Sequence, residues 1–398
     1  MSRTTFQLVL LVSCAHAMVH VYEQSLPSVE QMIGEDERFD FDDDVTSVTG
    51  ALGMIWRIPF GVLAFLAGWL TDRFGAKPLL LIYLLGCVAT SALAWWAPNL
   101  GVLFGVMFIM GCFASIYHPA GLALISHATT PENRSAALGW HGIFGSLGIA
   151  GAPFLAALFF SFSDGQSGSW RIYYLLLMIP GALLALVIWR MLKEHHRSGD
   201  AQDASSPTAV DDVAFNWPAY AVLVGVGTIN GFIYASFTHF LARYLGMEGE
   251  NNESYRTGLA AAALACGAVG QGLAGKFGRP DRLAWMLAVV VLANAPCLVW
   301  IALASGPMRI AATCVFAFVH FMNQPLYNSM LADYIPRRRR SLGYGFSNMM
   351  VFGTGSLGTL LTGVLLVRVG PESTYLTLAG IALTAGLLSL VIVWQRRR

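Results

Sequence analysis

Long apolar stretches separated by short polar segments account for nearly all of the chain. Each stretch approaches or exceeds the ~20 residues that a helix, rising ~1.5 Å per residue, needs to cross a bilayer. The pattern predicts twelve membrane-spanning helices, near residues 5–33, 45–70, 78–97, 100–127, 136–162, 171–192, 217–245, 257–275, 283–304, 308–332, 341–368 and 373–394. The predicted fold class is therefore an all-α membrane protein embedded in a lipid bilayer.

Composition supports this prediction and excludes several classes of protein. Hydrophobic residues make up 56% of the 398 residues and charged residues only 12%, with a net charge of +1. These values predict neither the charged surface of a soluble protein nor the basic surface of a nucleic-acid-binding protein. Six cysteines lie singly in apolar stretches and predict neither disulfides nor metal ligands. No phosphate-binding glycine loop, nucleophile elbow or zinc helix is present, so we expect neither an enzyme nor a cofactor.

Basic residues predict the orientation of the chain. If Arg3 is cytoplasmic, 17 of the 24 basic residues fall on the same side, and the positive-inside rule then puts both termini in the cytoplasm. Arg3 and the apolar residues after it also imitate a signal peptide. However, the apolar run continues to Leu26, so we expect it to be retained as the first span.

One long polar segment divides the chain. Residues 194–216 contain almost no apolar side chains, which predicts a flexible cytoplasmic linker between an N-terminal half, 1–193, and a C-terminal half, 217–398. The halves echo each other, because the segment 272–279 resembles the loop that follows the second span, although Gly275 replaces its acid. The sequence thus predicts two pseudo-symmetric halves of six helices each.

The loop after the second span carries the most specific motif. Its sequence Gly-Trp-Leu-Thr-Asp-Arg-Phe-Gly-Ala-Lys, residues 68–77, resembles the signature loop of the major facilitator superfamily of secondary transporters. The resemblance implies two halves that rock about a central solute site, usually in a monomer. It also implies a cytoplasmic gate in which Asp72 docks near the eleventh span and Arg134. The gate residues are Gly68, Asp72, Arg73, Gly75, Lys77 and Arg134.

Ionisable residues inside the predicted spans are the next candidates for the functional site. Each is costly in hydrocarbon unless it has a partner or faces a water-filled cavity. His16, His20 and Glu23 follow each other at spacings of four and three and so share one helix face. Arg57 lies at a comparable depth in the second span. We expect a Glu23–Arg57 pair that is made and broken during transport; a static structural ion pair is the alternative.

Two further features narrow the resemblance. His118 and His141, together with the first span, look like segments of the fosmidomycin-resistance branch of the superfamily. The fifth span, with Gly139, Gly148 and the pairs 152–153 and 156–157, reproduces the spacing of the superfamily's antiporter motif. That spacing favours export, with ordinary close helix packing as the alternative.

The C-terminal half supplies hydrogen-bonding groups rather than charges. They suit the orientation of a polar organic solute and are Asn230, Tyr234, Asn294, His320, Asn323 and Gln324. Pro325 is expected to break the tenth span among them. The acidic loop 35–44 is expected to be solvated.

The leading hypothesis is a proton-coupled exporter of a small polar or amphipathic organic solute. The setting implied is a bacterial inner membrane, with the solute and protons as partners. A second hypothesis is an importer or facilitator of an organic anion anchored by Arg57. A third is a transition-metal carrier that uses His16, His20 and Glu23 as ligands.

Overall fold

The computed structural model describes residues 2–39, 41, 44–129, 131–163, 168–192, 215–246, 252–335 and 340–397. Every regular element in these ranges is helical. The N-terminal group consists of α1 (Arg3–Gly34), α2 (Val45–Val62), α3 (Ala64–Phe74), α4 (Ala76–Trp96), α5 (Leu100–Ala114), α6 (Tyr117–Ala128), α7 (Pro131–Ser163) and α8 (Trp170–Met191). The C-terminal group consists of α9 (Trp217–His239), α10 (Leu241–Leu245), α11 (Glu253–Phe277), α12 (Leu283–Leu303), α13 (Pro307–Tyr334), α14 (Arg340–Asn348) and α15 (Leu357–Arg397).

Ten helical stretches in the described residues are long and apolar enough to cross a membrane. Two differences separate this number from the twelve predicted spans. The predicted tenth span is a continuous helix, α13, but its polar residues keep it outside the ten. The last two predicted spans form one stretch, Leu342–Arg396, which is non-helical at Gly370, where φ is +79°.

Asparagine and aspartate side chains start several of the helices. Asp44, Asn99, Asn216 and Asn252 each accept a hydrogen bond from the backbone N–H three residues later, at distances of 2.9–3.3 Å. These bonds satisfy N–H groups that the first helical turn leaves without an intrahelical partner. The capping residues at the loop ends therefore determine where these long apolar helices begin. The apolar residues between the loops determine only that these segments are helical.

The two groups of helices meet where α7 packs along α11 and where α2 packs against α15. Within the N-terminal group, α7 also packs along α1, and this contact is the α1–α7 seam. Outward-facing side chains are apolar, as at Phe162 and Leu303, which are 81% and 65% exposed. Buried positions include many polar side chains instead, which is the distribution expected where the outer surface faces lipid.

Small residues make the α1–α7 seam possible. A Cβ on Gly148 would lie 2.1 Å from the backbone oxygen of Ala17, and one on Gly145 would lie 2.3 Å from the ring of His16. By contrast, a Cβ on Gly139 would meet nothing within 4 Å. The motif that predicted export thus contains at least one glycine, Gly148, that close packing by itself explains.

A π-helical segment, Met349–Thr354, joins α14 to α15 where the N-terminal group approaches. A Cβ on Gly61 of α2 would lie only 1.9 Å from the backbone nitrogen of Gly353, so the two backbones touch. The ring of Phe352 lies 4.9 Å from that of Phe60 and 5.4 Å from that of His118. This widened turn thus contacts the histidine-containing part of the N-terminal group.

The acidic loop after α1 is not simply solvated, which corrects the prediction made for it. Asp36 is only 4% exposed and accepts hydrogen bonds from Trp170 at 3.0 Å and from Arg171 at 3.2 Å. Burial raises the pKa of its carboxyl, but the bonds from Arg38 and Trp170 and the charge of Arg171 outweigh burial and hold that pKa below its ordinary value. Residues 40, 42 and 43 of the loop lie outside the described residues.

Candidate functional site

A cavity of about 90 Å³ lies between the N-terminal and C-terminal groups of helices. It is lined by histidines and an apolar wall from α1, α6 and α7, and by amides and aromatic rings from α9, α13, α14 and the π-helical segment. The lining residues are His20, His118, Leu122, His141, Ile149, Gly227, Asn230, Gly231, Tyr234, His320, Phe321, Asn323, Gln324, Tyr327, Asn328, Asn348, Val351 and Phe352. A solute bound here would touch both groups.

Four histidines from α1, α6 and α7 are packed together at one wall of the cavity. The rings of His16 and His141 are stacked with centroids 3.7 Å apart, and His118 lies 5.3 Å from His16 and 5.4 Å from His20. All four are at most 5% exposed. Tyr117 supports the group because its hydroxyl contacts Nε2 of His141 at 3.0 Å and donates to the backbone oxygen of Val12 at 2.8 Å.

Glu23 continues this cluster toward the C-terminal group. Its carboxylate pairs with Arg57 and also accepts a hydrogen bond from the hydroxyl of Tyr234 in α9 at 3.1 Å. Arg57 in turn donates to Thr238 of α9 at 3.2 Å, and its guanidinium lies 5.3 Å from the centre of the Tyr234 ring. The contact expected between Glu23 and Arg57 is therefore formed, and its breaking during transport stays a prediction.

The polar contacts along α1 demand an additional cation. His16 must donate from Nδ1, because its partner at 2.6 Å is the backbone oxygen of His141. Its Nε2 lies 3.1 Å from Nε2 of His20, whose Nδ1 lies 2.5 Å from the Glu23 carboxylate. Each neutral imidazole carries one N–H, so the two rings supply two hydrogens for these three contacts. One further proton, or another cation, must therefore occupy the remaining contact.

The polar residues predicted on the C-terminal side separate into two sets. Asn230, Tyr234, His320, Asn323 and Gln324 line the cavity. Asn294 does not: it is fully buried behind the wall, where its side-chain oxygen lies 3.1 Å from Nδ1 of His320. Asn294 thus orients His320 rather than touching the cavity.

Pro325 does not break its helix, which corrects the sequence prediction. α13 is continuous from Pro307 to Tyr334 with Pro325 inside it. A transmembrane helix tolerates proline when neighbouring groups satisfy the freed carbonyls. The carbonyl that Pro325 leaves without its helical donor is that of Phe321, one turn earlier. Side chains add other bonds around the proline: Ser329 donates to the backbone oxygen of Pro325 at 2.7 Å, and Gln324 accepts a hydrogen bond from Gln271 of α11.

Three fully buried polar atoms of the cavity-lining residues have no hydrogen-bond partner among the described residues. They are Nε2 of His118, Oδ1 of Asn230 and Nδ2 of Asn348. The amide of Asn230 is oriented by its Nδ2, which donates to the backbone oxygen of Val226 at 3.0 Å. Its oxygen is therefore left as an acceptor without a donor, so the residues of the wall include both an unpartnered donor, at Asn348, and an unpartnered acceptor, at Asn230.

The predicted gate residues lie where α3 ends. Gly68 is buried within α3, and Gly75 ends the helix with φ of +85°, a conformation that glycine adopts readily. Asp72 and Arg73 are exposed there, and Lys77 lies in the first turn of α4. α3 packs against α14. The side chain of Arg134 lies outside the described residues, as does most of the predicted linker, up to residue 214.

An ion pair that links α1 to α10 also escaped the sequence analysis. Arg243 donates to Glu30 at 2.7 Å, and Glu30, which is 2% exposed, also accepts from Thr49 at 2.5 Å. Glu30 lies in the first predicted span, so the rule that singled out Glu23 applies to it as well. Both buried carboxylates of α1 thus contact the C-terminal group.

A model of the Major Facilitator Superfamily matches residues 37–359 and 322–398 of the chain. The puromycin resistance protein pur8 of Streptomyces alboniger is 31% identical over 181 residues, 45% of this chain and 32% of that protein. The probable actinorhodin transporter of Streptomyces coelicolor is 29% identical over 137 residues, 33% of this chain and 24% of that protein. The efflux pump azaK of Aspergillus niger is 26% identical over 148 residues, 37% and 31% respectively. The chain spans less than half the length of these relatives.

Solved structures resemble the whole chain. The human organic anion transporter MFSD10 (TETRAN) has a TM-score of 0.77 at 16% identity, covering 98% of this chain and 100% of that chain. The xylose transporter XylE from E. coli, in a partially occluded inward open conformation, has a TM-score of 0.77 at 12% identity, covering 98% of both chains. At these identities the likeness establishes the fold.

Proposed function

Because the chain belongs to the Major Facilitator Superfamily, we propose that it is a proton-coupled exporter of a small polar or amphipathic organic solute. The predictions of a transporter of this superfamily, and of a protein that is not an enzyme, are confirmed by the family match. The observation that carries the proposal is the position of Glu23, a buried carboxylate beside the cavity with partners in both groups of helices.

The proposed transport cycle uses alternating access between the two groups. Tyr234 and Thr238 of α9 bond to Glu23 and Arg57, so the groups cannot separate here unless these bonds break. A hydrogen bond to an ionised acceptor is stronger than one to a neutral acceptor. A proton on Glu23 would therefore weaken its bond to Tyr234, which makes proton binding a means of releasing the C-terminal group.

Export is supported by the names of the relatives, and the amphipathic class of solute by the cavity. Several relatives carry names of resistance or efflux proteins, including puromycin resistance protein pur8 and efflux pump azaK. The cavity combines unpartnered polar atoms with the rings of Phe321 and Phe352, a wall that suits an amphipathic solute. We therefore choose puromycin, together with a panel of other aromatic antibiotics, as the first probe.

The setting we propose follows from the same assignment. Twelve spans would be reached if α13 crosses the membrane and the last stretch crosses twice with a turn at Gly370. An even number of spans would put both termini on one side, which the distribution of basic residues makes the cytoplasmic side. We also propose that the membrane is a bacterial inner membrane and that the protein acts as a monomer. The narrower resemblance to the fosmidomycin-resistance branch stays a prediction.

An importer or facilitator of an organic anion is the second candidate. It requires Arg57 to meet the solute, but the guanidinium is paired with Glu23 and Arg57 does not line the cavity. An anion would first have to displace the Glu23 carboxylate. The geometry therefore favours Arg57 as the partner of Glu23.

The test is solute-driven proton movement in proteoliposomes that contain a pH-sensitive dye. Addition of a transported probe should move protons through the wild-type protein and not through Glu23→Gln. The matched control is Glu253→Gln, which removes a largely buried carboxylate that pairs with Arg256 away from the cavity. It should retain proton movement.

Direction is measured separately in inverted membrane vesicles energised by respiration. An exporter that exchanges solute for protons should accumulate the probe inside them, and a proton ionophore should abolish the accumulation. Solute movement without protons that Glu23→Gln leaves unchanged would contradict proton coupling. The facilitator candidate would then take its place.

A further inference from the structure

We propose that His16, His20 and His118 form a binding site for one transition-metal ion of the Zn²⁺ or Co²⁺ type. The proposal rests on the placement of ring nitrogens and goes beyond the proposed export of an organic solute. It holds or fails whatever the direction of transport and whether or not protons are coupled.

One nitrogen of each of the three rings lies close to a nitrogen of the other two. These atoms all lie within 4.8 Å of one another, and the Nε2 atoms of His16 and His20 are 3.1 Å apart. A point within about 2.8 Å of all three nitrogens therefore exists, against the ~2.0–2.1 Å of a Zn–N bond. Side-chain movements of under about an ångström would complete the coordination.

The opposite nitrogens of two of these rings are held as metal ligands require. A ligating histidine usually donates its other ring N–H to a carbonyl or a carboxylate, which fixes the ring and raises its basicity. Nδ1 of His16 faces the backbone oxygen of His141 at 2.6 Å, and Nδ1 of His20 faces the Glu23 carboxylate at 2.5 Å. The Nε2 atoms of both rings are then left with lone pairs that can bind a metal ion.

A metal ion also resolves the hydrogen count along α1. With both imidazoles neutral and protonated at Nδ1, the two facing Nε2 atoms would repel each other unless a cation lies between them. A divalent ion fills that role for both atoms at once. His118 joins them from α6 with Nε2 unpartnered among the described residues and the side chain 5% exposed.

An ion can reach this position from the cavity, because His20 and His118 both line it. Three imidazole ligands leave the fourth position of a tetrahedral ion open to a further ligand. The ion adds its positive charge to that of Arg57, and the single negative charge of Glu23 offsets only part of the total. An anionic oxygen in the fourth position would offset more of it.

The structure changes the ligand set that the sequence suggested for a metal carrier. Glu23 was expected to bind the metal directly, but its oxygens are taken by Arg57, Tyr234 and His20. His118 is the third ligand instead. His141 is not in the group of nitrogens that lie within 4.8 Å of one another, and its Nε2 contacts the hydroxyl of Tyr117.

The test uses the full chain in detergent, freed of any affinity tag and stripped of metal with a chelator. Co²⁺ should bind one ion per chain and give the intense visible absorption of a four-coordinate site, and Zn²⁺ should displace it. X-ray absorption of the Zn²⁺ form should show an imidazole-rich shell that includes three histidines. This readout needs no variant, so misfolding of a mutant cannot obscure it.

Variants then locate the ion. His118→Gln and His20→Gln should each weaken Zn²⁺ binding at least tenfold. His320→Gln, which changes another buried histidine of the same cavity, should leave it unchanged. The adjacent pair His195 and His196 is the obvious place for adventitious binding, so a double glutamine variant of that pair is the second control.

Three results would overturn the proposal. They are no stoichiometric Co²⁺ binding by the wild-type protein, loss of binding in the double variant at residues 195 and 196, and a Zn²⁺ shell with fewer than three histidines. Equal weakening by His320→Gln and His118→Gln would count against it as well. One ion per chain that depends on His20 and His118 alone would support it.

Discussion

The hydroxyl of Tyr234 in α9 donates a hydrogen bond to the carboxylate of Glu23 in α1, 3.1 Å away and 211 positions earlier in the chain. Gln24 donates to the same hydroxyl at 3.0 Å. One phenol thus links the buried carboxylate beside the cavity to the opposite group of helices. The proposed release of the C-terminal group depends on this link.

Tyr234→Phe should therefore slow transport of the probe solute by more than its loss of stability explains. Removing one buried hydrogen-bond partner costs about 1–3 kcal/mol. The control is Tyr83→Phe, because Tyr83 donates to the backbone oxygen of Ala15 at 3.0 Å within the N-terminal group. Both variants should lower the melting temperature in detergent similarly, and only the first should slow transport. Equal transport by the two variants would count against a role for the link.

Arg57→Gln should destabilise the protein, since it leaves the fully buried Glu23 carboxylate without its cation. Removal of one partner of a buried pair costs about 3–5 kcal/mol. The double variant Glu23→Gln with Arg57→Gln should recover much of that loss, because no charge then remains unpaired. Melting temperatures of the two single variants and the double variant give the coupling between the residues. Additive losses would mean that the pair is not formed.

The Asp36 network should make stability depend on acid. The carboxyl has a lowered pKa in the folded protein, so its contribution is present above the unfolded pKa and is lost as pH falls through the folded value. Asp36→Asn should lower the melting temperature at pH 7, where removing the charge costs about 3 kcal/mol. The difference from wild type should shrink in strongly acidic buffer. A difference independent of pH would show that the charge is not what matters.

Glycines of α7 should differ sharply in their tolerance of a methyl group. Gly148→Ala places Cβ against the backbone of Ala17 and should cost about 1–3 kcal/mol, since backbone cannot move aside as a side chain can. Gly139→Ala meets open space and should be neutral or stabilising by up to about 1 kcal/mol. Thermal unfolding of the two variants in one detergent is the measurement. Similar losses would argue that the α1–α7 seam is looser than described.

Local rules applied to the sequence found much of the candidate site but not its connections. A carboxylate in an apolar span has few acceptable environments, so Glu23 and Arg57 could be paired from depth alone. The partners of that pair on α9, Thr238 and Tyr234, depend on how two distant helices meet, which no spacing along the chain specifies. Tyr117 was missed for the same reason, because its role is to hold His141 from another helix.

Other failures came from applying a local rule where tertiary context decides. Pro325 has helix-breaking chemistry, yet α13 continues through it, because bonds lost inside a bundle can be replaced by neighbours. Asp36 was assigned to water because acids surround it in sequence, yet Trp170 and Arg171 enclose it. The π-helical segment has no composition that distinguishes it from an ordinary helical turn.

That widened turn, Met349–Thr354, has a geometric consequence for the cavity wall. A π turn holds about one residue more than an α turn, and one residue of an α-helix corresponds to a rotation of about 100°. If the segment tightened to α geometry, α14 would swivel by that angle relative to α15. Asn348 would leave the cavity and another face of α14 would replace it. Rewinding this single turn would thus change which side chains of α14 line the cavity.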